Sequence, residues 1–386
     1  MSSRRNLIGT AALAFVSLVV SLFAAEYVLR AVTPFPITEL SHRRADPNFG
    51  YVVAADVPDV DANGFRNRGV TLDSADLVVV GDSHTYGYNV DVTHAFPAVL
   101  GQLTGRKVYA MAAGGYGIYQ YLALIDALLA HRPKDVVLAL YPANDLGSAC
   151  SIVTLPSWLA LARKAGVQPP RCRGREISRT SFLQSSALLG AIDYAWLRFT
   201  PAHCASPAIR FAAGPCLTLE RGERHTRLTS LDDPENRQSF DNALAILRFA
   251  HARLRDRGVR FSVLMIPSRE RVLLEWSRAY AQEKDPRLDA LAQGEIDLAG
   301  KFAEFLAGEA IPVRDAAPTV VAAFAAALAR NEAFYPSTSD GHPFAAGYAA
   351  YAQAAATLAR EADAPAAADA DARQPNQALP VAPLNE

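Results

Sequence analysis

Ser83 and His342 are the side chains best suited to acyl chemistry in this sequence, and each sits in a short block that could serve that role. Ser83 lies in Gly81-Asp82-Ser83-His84-Thr85-Tyr86-Gly87. A serine hydroxyl is a weak nucleophile near neutral pH and needs a base within hydrogen-bond reach. Ser339-Asp340-Gly341-His342-Pro343 offers one, because histidine titrates near working pH and a neighbouring carboxylate can hold its tautomer. Attack on an ester also builds an oxyanion, which needs fixed donors. Ala112-Ala113-Gly114-Gly115-Tyr116-Gly117 supplies backbone N–H groups that can approach closely, and Tyr141-Pro142-Ala143-Asn144-Asp145 supplies a side-chain amide. Each block also has a plainer reading: a serine capping a helix, glycines in a tight turn, an Asx turn at Asn144, a polar loop before Pro343.

Position separates the two kinds of reading. Leu77–Val80, Val108–Met111, Val136–Tyr141, Phe261–Ile266 and Ile311–Val313 are short apolar runs, and such runs suit strands covered on both faces. Between them, 117–130, 239–257, 296–306 and 317–329 carry apolar residues at three- and four-residue spacing, as helices do. The alternation predicts an α/β fold, a three-layer α/β/α sandwich around a central, mostly parallel five-stranded sheet. Ser83, Gly115 and Asn144 then follow three consecutive strands, at the carboxyl edge where open α/β sheets bind ligands. His342 precedes the last helix.

The rest of the chain sets the compartment and the boundaries. The uncharged run Leu7–Ala25 follows Arg4 and Arg5, and its nineteen residues would span roughly 28 Å as a helix. We read residues 1–31 as a transmembrane anchor with a cytoplasmic N-terminus, which places the remainder in the periplasm or outside the cell. A cleaved signal peptide is the competing reading, although Phe23 is bulky for the position three residues before a cut after Ala25. Residues 32–60 read as a linker and 61–361 as the catalytic domain, with an insertion at 147–235. Residues 362–386, rich in Ala, Asp and Pro, read as a disordered tail. Cys150, Cys172, Cys204 and Cys216 all fall in the insertion, and local pairing of 150 with 172 and of 204 with 216 is the preferred arrangement over free thiols. A formal net charge of −1 without a Lys/Arg block argues against nucleic acid as the main partner. No metal or cofactor is expected from the motifs.

The four blocks in this order resemble the SGNH/GDSL hydrolase superfamily, whose fold is flavodoxin-like. Asn63-Gly64-Phe65-Arg66, and Gly115-Tyr116-Gly117 followed by Gln120, are similar to its membrane-anchored bacterial members. The resemblance implies Ser83 as nucleophile and His342 as base. It places the oxyanion hole at the Ser83 and Gly115 N–H groups and the Asn144 amide. The chain departs from the pattern where the triad aspartate usually stands three residues before the histidine: Ser339 is there, and Asp340 is two before. Asp340 is the candidate orienter, with a Ser-His dyad as the alternative. Pro142 replaces a glycine and Ala110 an asparagine common in such members. The expected activity is ester hydrolysis on an acyl-bearing cell-envelope substrate, with an O-acetylated glycan as the leading candidate. Acyl transfer to a sugar hydroxyl from the same site and a non-catalytic binding protein are the alternatives. His84, beside the nucleophile, is read as a packing residue more readily than a substrate contact.

Overall fold

A computed structural model describes residues 2–32, 43–55, 57–147, 150–170, 228–281, 286–338 and 340–363, with short pieces at 188–189, 191–192, 208–210, 216–219 and 226. The first element, α1 (Ser2–Val32), runs past the expected end of the apolar segment. Most of its large apolar side chains, among them Leu13, Phe15, Leu18, Leu22 and Phe23, are exposed. It is long and apolar enough to cross a membrane, by length and composition.

The central sheet contains β3 (Leu77–Gly81), β4 (Val108–Ala112), β5 (Asp135–Leu140), β8 (Arg260–Met265) and β9 (Val313–Asp315) in the order β4-β3-β5-β8-β9. Every pairing is parallel. The fifth strand starts two residues later than the apolar run Ile311–Val313 suggested, because Ile311 turns into the core before pairing begins. Side chains alternate between the two faces, as a two-residue period requires. Val78 and Val80 join one core with Val136, Leu138 and Val263, whereas Leu77 and Val79 join the other with Val137 and Leu264. The first face is covered by α4 (Ile118–Leu128) and α7 (Pro234–Arg255). The second is covered by α3 (Phe96–Thr104), α8 (Arg269–Tyr280), α10 (Ala317–Ala329) and α11 (Ala345–Asp363). The long α9 (Pro286–Gly308) feeds both cores, Leu288 and Leu291 into the second and Phe302 and Leu306 into the first.

Two parts of the chain differ from the sequence reading. The segment expected to be a linker becomes, from Arg43 onward, a hairpin of β1 (Arg43–Asp46) and β2 (Gly50–Val53). Val52 and Val53 are fully buried in it, so this stretch belongs to the folded body. The expected insertion opens with α5 (Cys150–Val153) and α6 (Pro156–Ala165), whose Ile152, Val153, Trp158 and Ala162 complete the first core. A short hairpin, β6 (Ala208–Arg210) with β7 (Cys216–Thr218), lies further along. The proposed cysteine pairing and residues 364–386 lie outside what is described.

Candidate active site

β3 delivers Ser83 to the sheet's carboxyl edge through an abrupt change of direction. Gly81 ends the strand, and a Cβ there would overlap the Thr85 side chain, so glycine lets α2 (Ser83–Tyr86) fold back over the strand end. Asp82 caps that helix, accepting the His84 N–H at 2.9 Å. Strand order reverses beside β3, whose neighbours are β4 and β5. This is the topological switch point at which doubly wound sheets open a crevice.

Ser83 and His342, 259 positions apart in the chain, meet at this crevice. His342 Nε2 lies 2.7 Å from Ser83 Oγ, and His342 Nδ1 lies 2.5 Å from Asp340 Oδ1. The same Asp340 oxygen accepts the His342 backbone N–H at 3.0 Å, so the two-residue spacing closes a compact ring around one carboxylate oxygen. A spacing of two therefore brings the carboxylate to the imidazole despite the departure from the usual three. Ser83 Oγ also lies 3.4 Å from Asp82 Oδ2, a much weaker contact than the one to His342.

Asp340 is held from its other side by residues that the motifs did not single out. Asn89 Nδ2 donates to Asp340 Oδ2 at 2.7 Å and to the His342 carbonyl at 3.2 Å. Its backbone is left-handed, φ 64°, a conformation asparagine tolerates better than most residues. The fully buried Arg269, at the start of α8 after the fourth strand, donates to the carbonyls of Thr338 (2.6 Å) and Asp340 (3.1 Å) and pairs with Glu270 at 2.8 Å. Burial works against the Asp340 charge. The charge of His342 and the hydrogen bonds from His342 and Asn89 outweigh it and hold the carboxyl well below its usual range. Strand-end logic extended to the fourth strand points to Arg269, whereas Asn89 carries no sequence signal apart from its place in the loop after α2.

Arg66, from the Asn-Gly-Phe-Arg block, braces the same loop. Its buried guanidinium donates to the carbonyls of Tyr86 (3.3 Å), Gly87 (2.8 Å) and Val90 (3.0 Å), on both sides of Asn89. Replacing Asn89 with glycine keeps the left-handed backbone and removes only the amide. One hydrogen bond to the Asp340 carboxylate and one to the His342 carbonyl are then lost, and kcat toward a p-nitrophenyl ester is expected to fall about 10- to 100-fold. Turnover within twofold of wild type would show that Asp340 needs no such anchor.

His84 is buried, with its ring centroid 4.5 Å from Tyr141 and 4.6 Å from His342. Burial, and then the charge of His342, depress its affinity for a proton well below the ordinary histidine value. It thus packs as a neutral ring against the His342 imidazole. Tyr88 lies 4.7 Å from His342 on another side. Beneath them Asp82 and Asp145 are both buried. Desolvation pushes Asp82 up to about 6, and pushes Asp145 far above the carboxylate range. Asp145 is satisfied by Tyr121 Oη at 3.0 Å and the Tyr141 N–H at 2.7 Å.

The three expected oxyanion donors stand at the ends of three adjacent strands. Ser83 N heads α2 after β3, Gly115 follows β4, and the half-buried Asn144 follows β5. Gly115 is exposed with φ 76°, which favours glycine.

No protein-family profile matches the chain, and no curated protein is significantly similar to it. Among solved structures, it is similar to a protein assigned to the lipolytic G-D-S-L family from Desulfitobacterium hafniense DCB-2, at 12% identity over 73% of this chain and 98% of that one, with a TM-score of 0.37. It is also similar to phospholipase A1 from Streptomyces albidoflavus NA297, at 12% identity over 75% and 99%, TM-score 0.36. A third is a carbohydrate esterase family 2 enzyme from Corynascus thermopiles, at 11% identity over 78% and 70%, TM-score 0.33. Identities this low leave the functional reading to rest on the geometry of the site itself.

Proposed function

We propose that the protein is a serine ester hydrolase of the SGNH/GDSL type, held at a membrane by α1, acting on an acyl ester of the cell envelope through an acyl-enzyme on Ser83. The observation that carries this reading is the relay Ser83 Oγ, His342, Asp340, with links of 2.7 and 2.5 Å at the carboxyl edge of a parallel sheet. His342 Nε2 takes the Ser83 proton as Oγ bonds to the ester carbonyl carbon. Asp340 keeps the other imidazole proton on Nδ1 and stabilises the imidazolium. The carbonyl oxygen becomes an oxyanion facing the N–H groups of Ser83 and Gly115 and the Asn144 amide. As the tetrahedral centre collapses, the alkoxide leaves with the proton from His342. Water then attacks the acyl-enzyme, giving a proton to His342, and the acid departs as Ser83 regains its proton. An O-acetylated glycan is the candidate substrate class, supported by the apolar helix that would keep the domain at the membrane surface.

The test is turnover of p-nitrophenyl acetate, together with reaction of a fluorophosphonate probe and mass mapping of the labelled peptide. The expected result is one adduct, on Ser83, and acetate release. Turnover without label at Ser83, or no reaction across pH 5–9, would overturn the assignment. Including an oligosaccharide acceptor separates hydrolysis from transfer, because transfer moves the acetyl group to sugar at the expense of free acetate.

A further inference from the structure

The hairpin between α1 and the sheet reaches into the site described above. Arg43, on β1, donates from Nη2 to the Gly114 carbonyl. Tyr51, on β2, donates its hydroxyl to the same oxygen at 2.7 Å. The two donors support each other, since the Arg43 guanidinium carbon lies 4.4 Å from the centre of the Tyr51 ring. Tyr51 is itself fixed: it is buried, its carbonyl accepts the Tyr116 hydroxyl at 2.5 Å, and the two rings lie 5.2 Å apart. A carbonyl oxygen has two lone pairs, and here each meets a strong donor.

Gly114 O and Gly115 N belong to one planar trans peptide, so they point in opposite directions. Fixing the oxygen toward the hairpin fixes the N–H toward the other side. Among the described residues the Gly115 N–H donates to no backbone carbonyl. The left-handed backbone at Gly115, φ 76°, sets the residue type, and the hairpin lies close beside it. A Cβ on Gly115 would lie 3.2 Å from Tyr51 Oη and 3.8 Å from Arg43 Nη2. The positive charge on the oxygen side polarises the peptide and makes its N–H a stronger donor.

We infer that Arg43 and Tyr51 are positioning residues for the oxyanion hole, aiming the Gly115 N–H at the carbonyl oxygen of the substrate. The inference rests on acyl chemistry at Ser83. It makes a segment separated from the end of α1 by only ten residues, 33–42, part of the reaction machinery. Neither residue touches the reacting atoms. Each acts through the Gly114–Gly115 peptide.

The experiment uses the full-length protein in detergent and the variants Tyr51→Phe, Arg43→Gln and Arg43→Lys. Tyr51→Phe removes a single oxygen and keeps the ring. With p-nitrophenyl acetate, Tyr51→Phe is expected to lower kcat about 5- to 10-fold, and Arg43→Gln about 10- to 100-fold, less than outright loss of an oxyanion donor. KM should stay within twofold and Arg43→Lys should recover part of the loss. Affinity for an alkyl boronic acid, whose tetrahedral adduct with serine carries the oxyanion, should fall in step with kcat. The pH midpoint of the acid limb should not move, because the His342–Asp340 pair is untouched. Unchanged kcat and boronate affinity in both Tyr51→Phe and Arg43→Gln would overturn the inference, as would a loss of kcat that leaves boronate affinity intact. Wild-type turnover by Ser83→Ala would instead remove the acyl chemistry itself, and this inference with it.

Discussion

Ser83→Ala and His342→Ala are each expected to lower kcat for p-nitrophenyl acetate by on the order of 10⁴- to 10⁶-fold, and the double variant by no more than the worse of the two. The 2.7 Å contact explains why the losses should not add. The hydroxyl is useful only when the imidazole takes its proton, and the imidazole has no nucleophile to serve once the hydroxyl is gone. Ser83 is nearly buried and its hydroxyl is small, so alanine leaves little void and the fold should persist. Steady-state kinetics on the three variants, with thermal melts as the control for folding, decide the matter. Full additivity of the two losses would mean that these side chains act in separate steps. Retention of wild-type turnover by either variant would assign the activity elsewhere.

Asp340→Asn should be nearly as damaging, on the order of 10³- to 10⁴-fold in kcat, because the amide can present N–H to His342 Nδ1 and drive the ring proton onto Nε2. That tautomer cannot receive the proton of Ser83. Because one oxygen, Asp340 Oδ1, takes both the imidazole and the His342 backbone N–H, an amide nitrogen turned toward Nδ1 also gives up the 3.0 Å backbone link, and lost orientation adds to the change of tautomer. The effect on stability has a definite sign. The Asp340 carboxyl is held below its unfolded value, so its charge stabilises the fold above the ordinary carboxylate range, and that contribution fades as pH falls through the folded value. The difference in urea midpoint between wild type and Asp340→Asn is therefore expected to be largest near neutrality and to shrink below about pH 4. A difference that grows on acidification would contradict the arrangement. A kcat within threefold of wild type would leave Ser83 and His342 working as a dyad.

Much of the frame is legible in the sequence. The five apolar runs became the five strands, and four of them moved by no more than one residue at either end. Both faces of a parallel sheet are covered, so its strands must be apolar almost throughout, and that pattern survives any choice of neighbour. The helices at 96–104 and 269–280 leave little periodic signal in the sequence, for different reasons. The first, Phe96–Thr104, is short and begins at a Pro-containing turn. The second buries Arg269, Glu270 and Arg271, charged residues that read as surface until their partners are seen. The hairpin at 43–53 is hidden in the sequence because the stretch 32–60 is polar and Pro-containing, and a four-residue strand has almost no periodicity to display.

What the chain alone determined was local: the glycine-bounded serine, the strand ends that carry Gly115 and Asn144, the histidine ahead of the last helix, and an apolar segment long enough to cross a bilayer. What only the tertiary structure decided was convergence. Asn89 reaching Asp340, Arg269 tying down the same loop, Arg66 bracing the turn between them, and Arg43 with Tyr51 gripping Gly114 are contacts between residues dozens to hundreds of positions apart. Backbone propensity and hydrophobic period act over a few residues and leave their mark on the sequence itself. A hydrogen bond from a polar side chain to a distant carbonyl depends on where packing has carried both partners, and the one-dimensional order holds no trace of that until the sheet has closed.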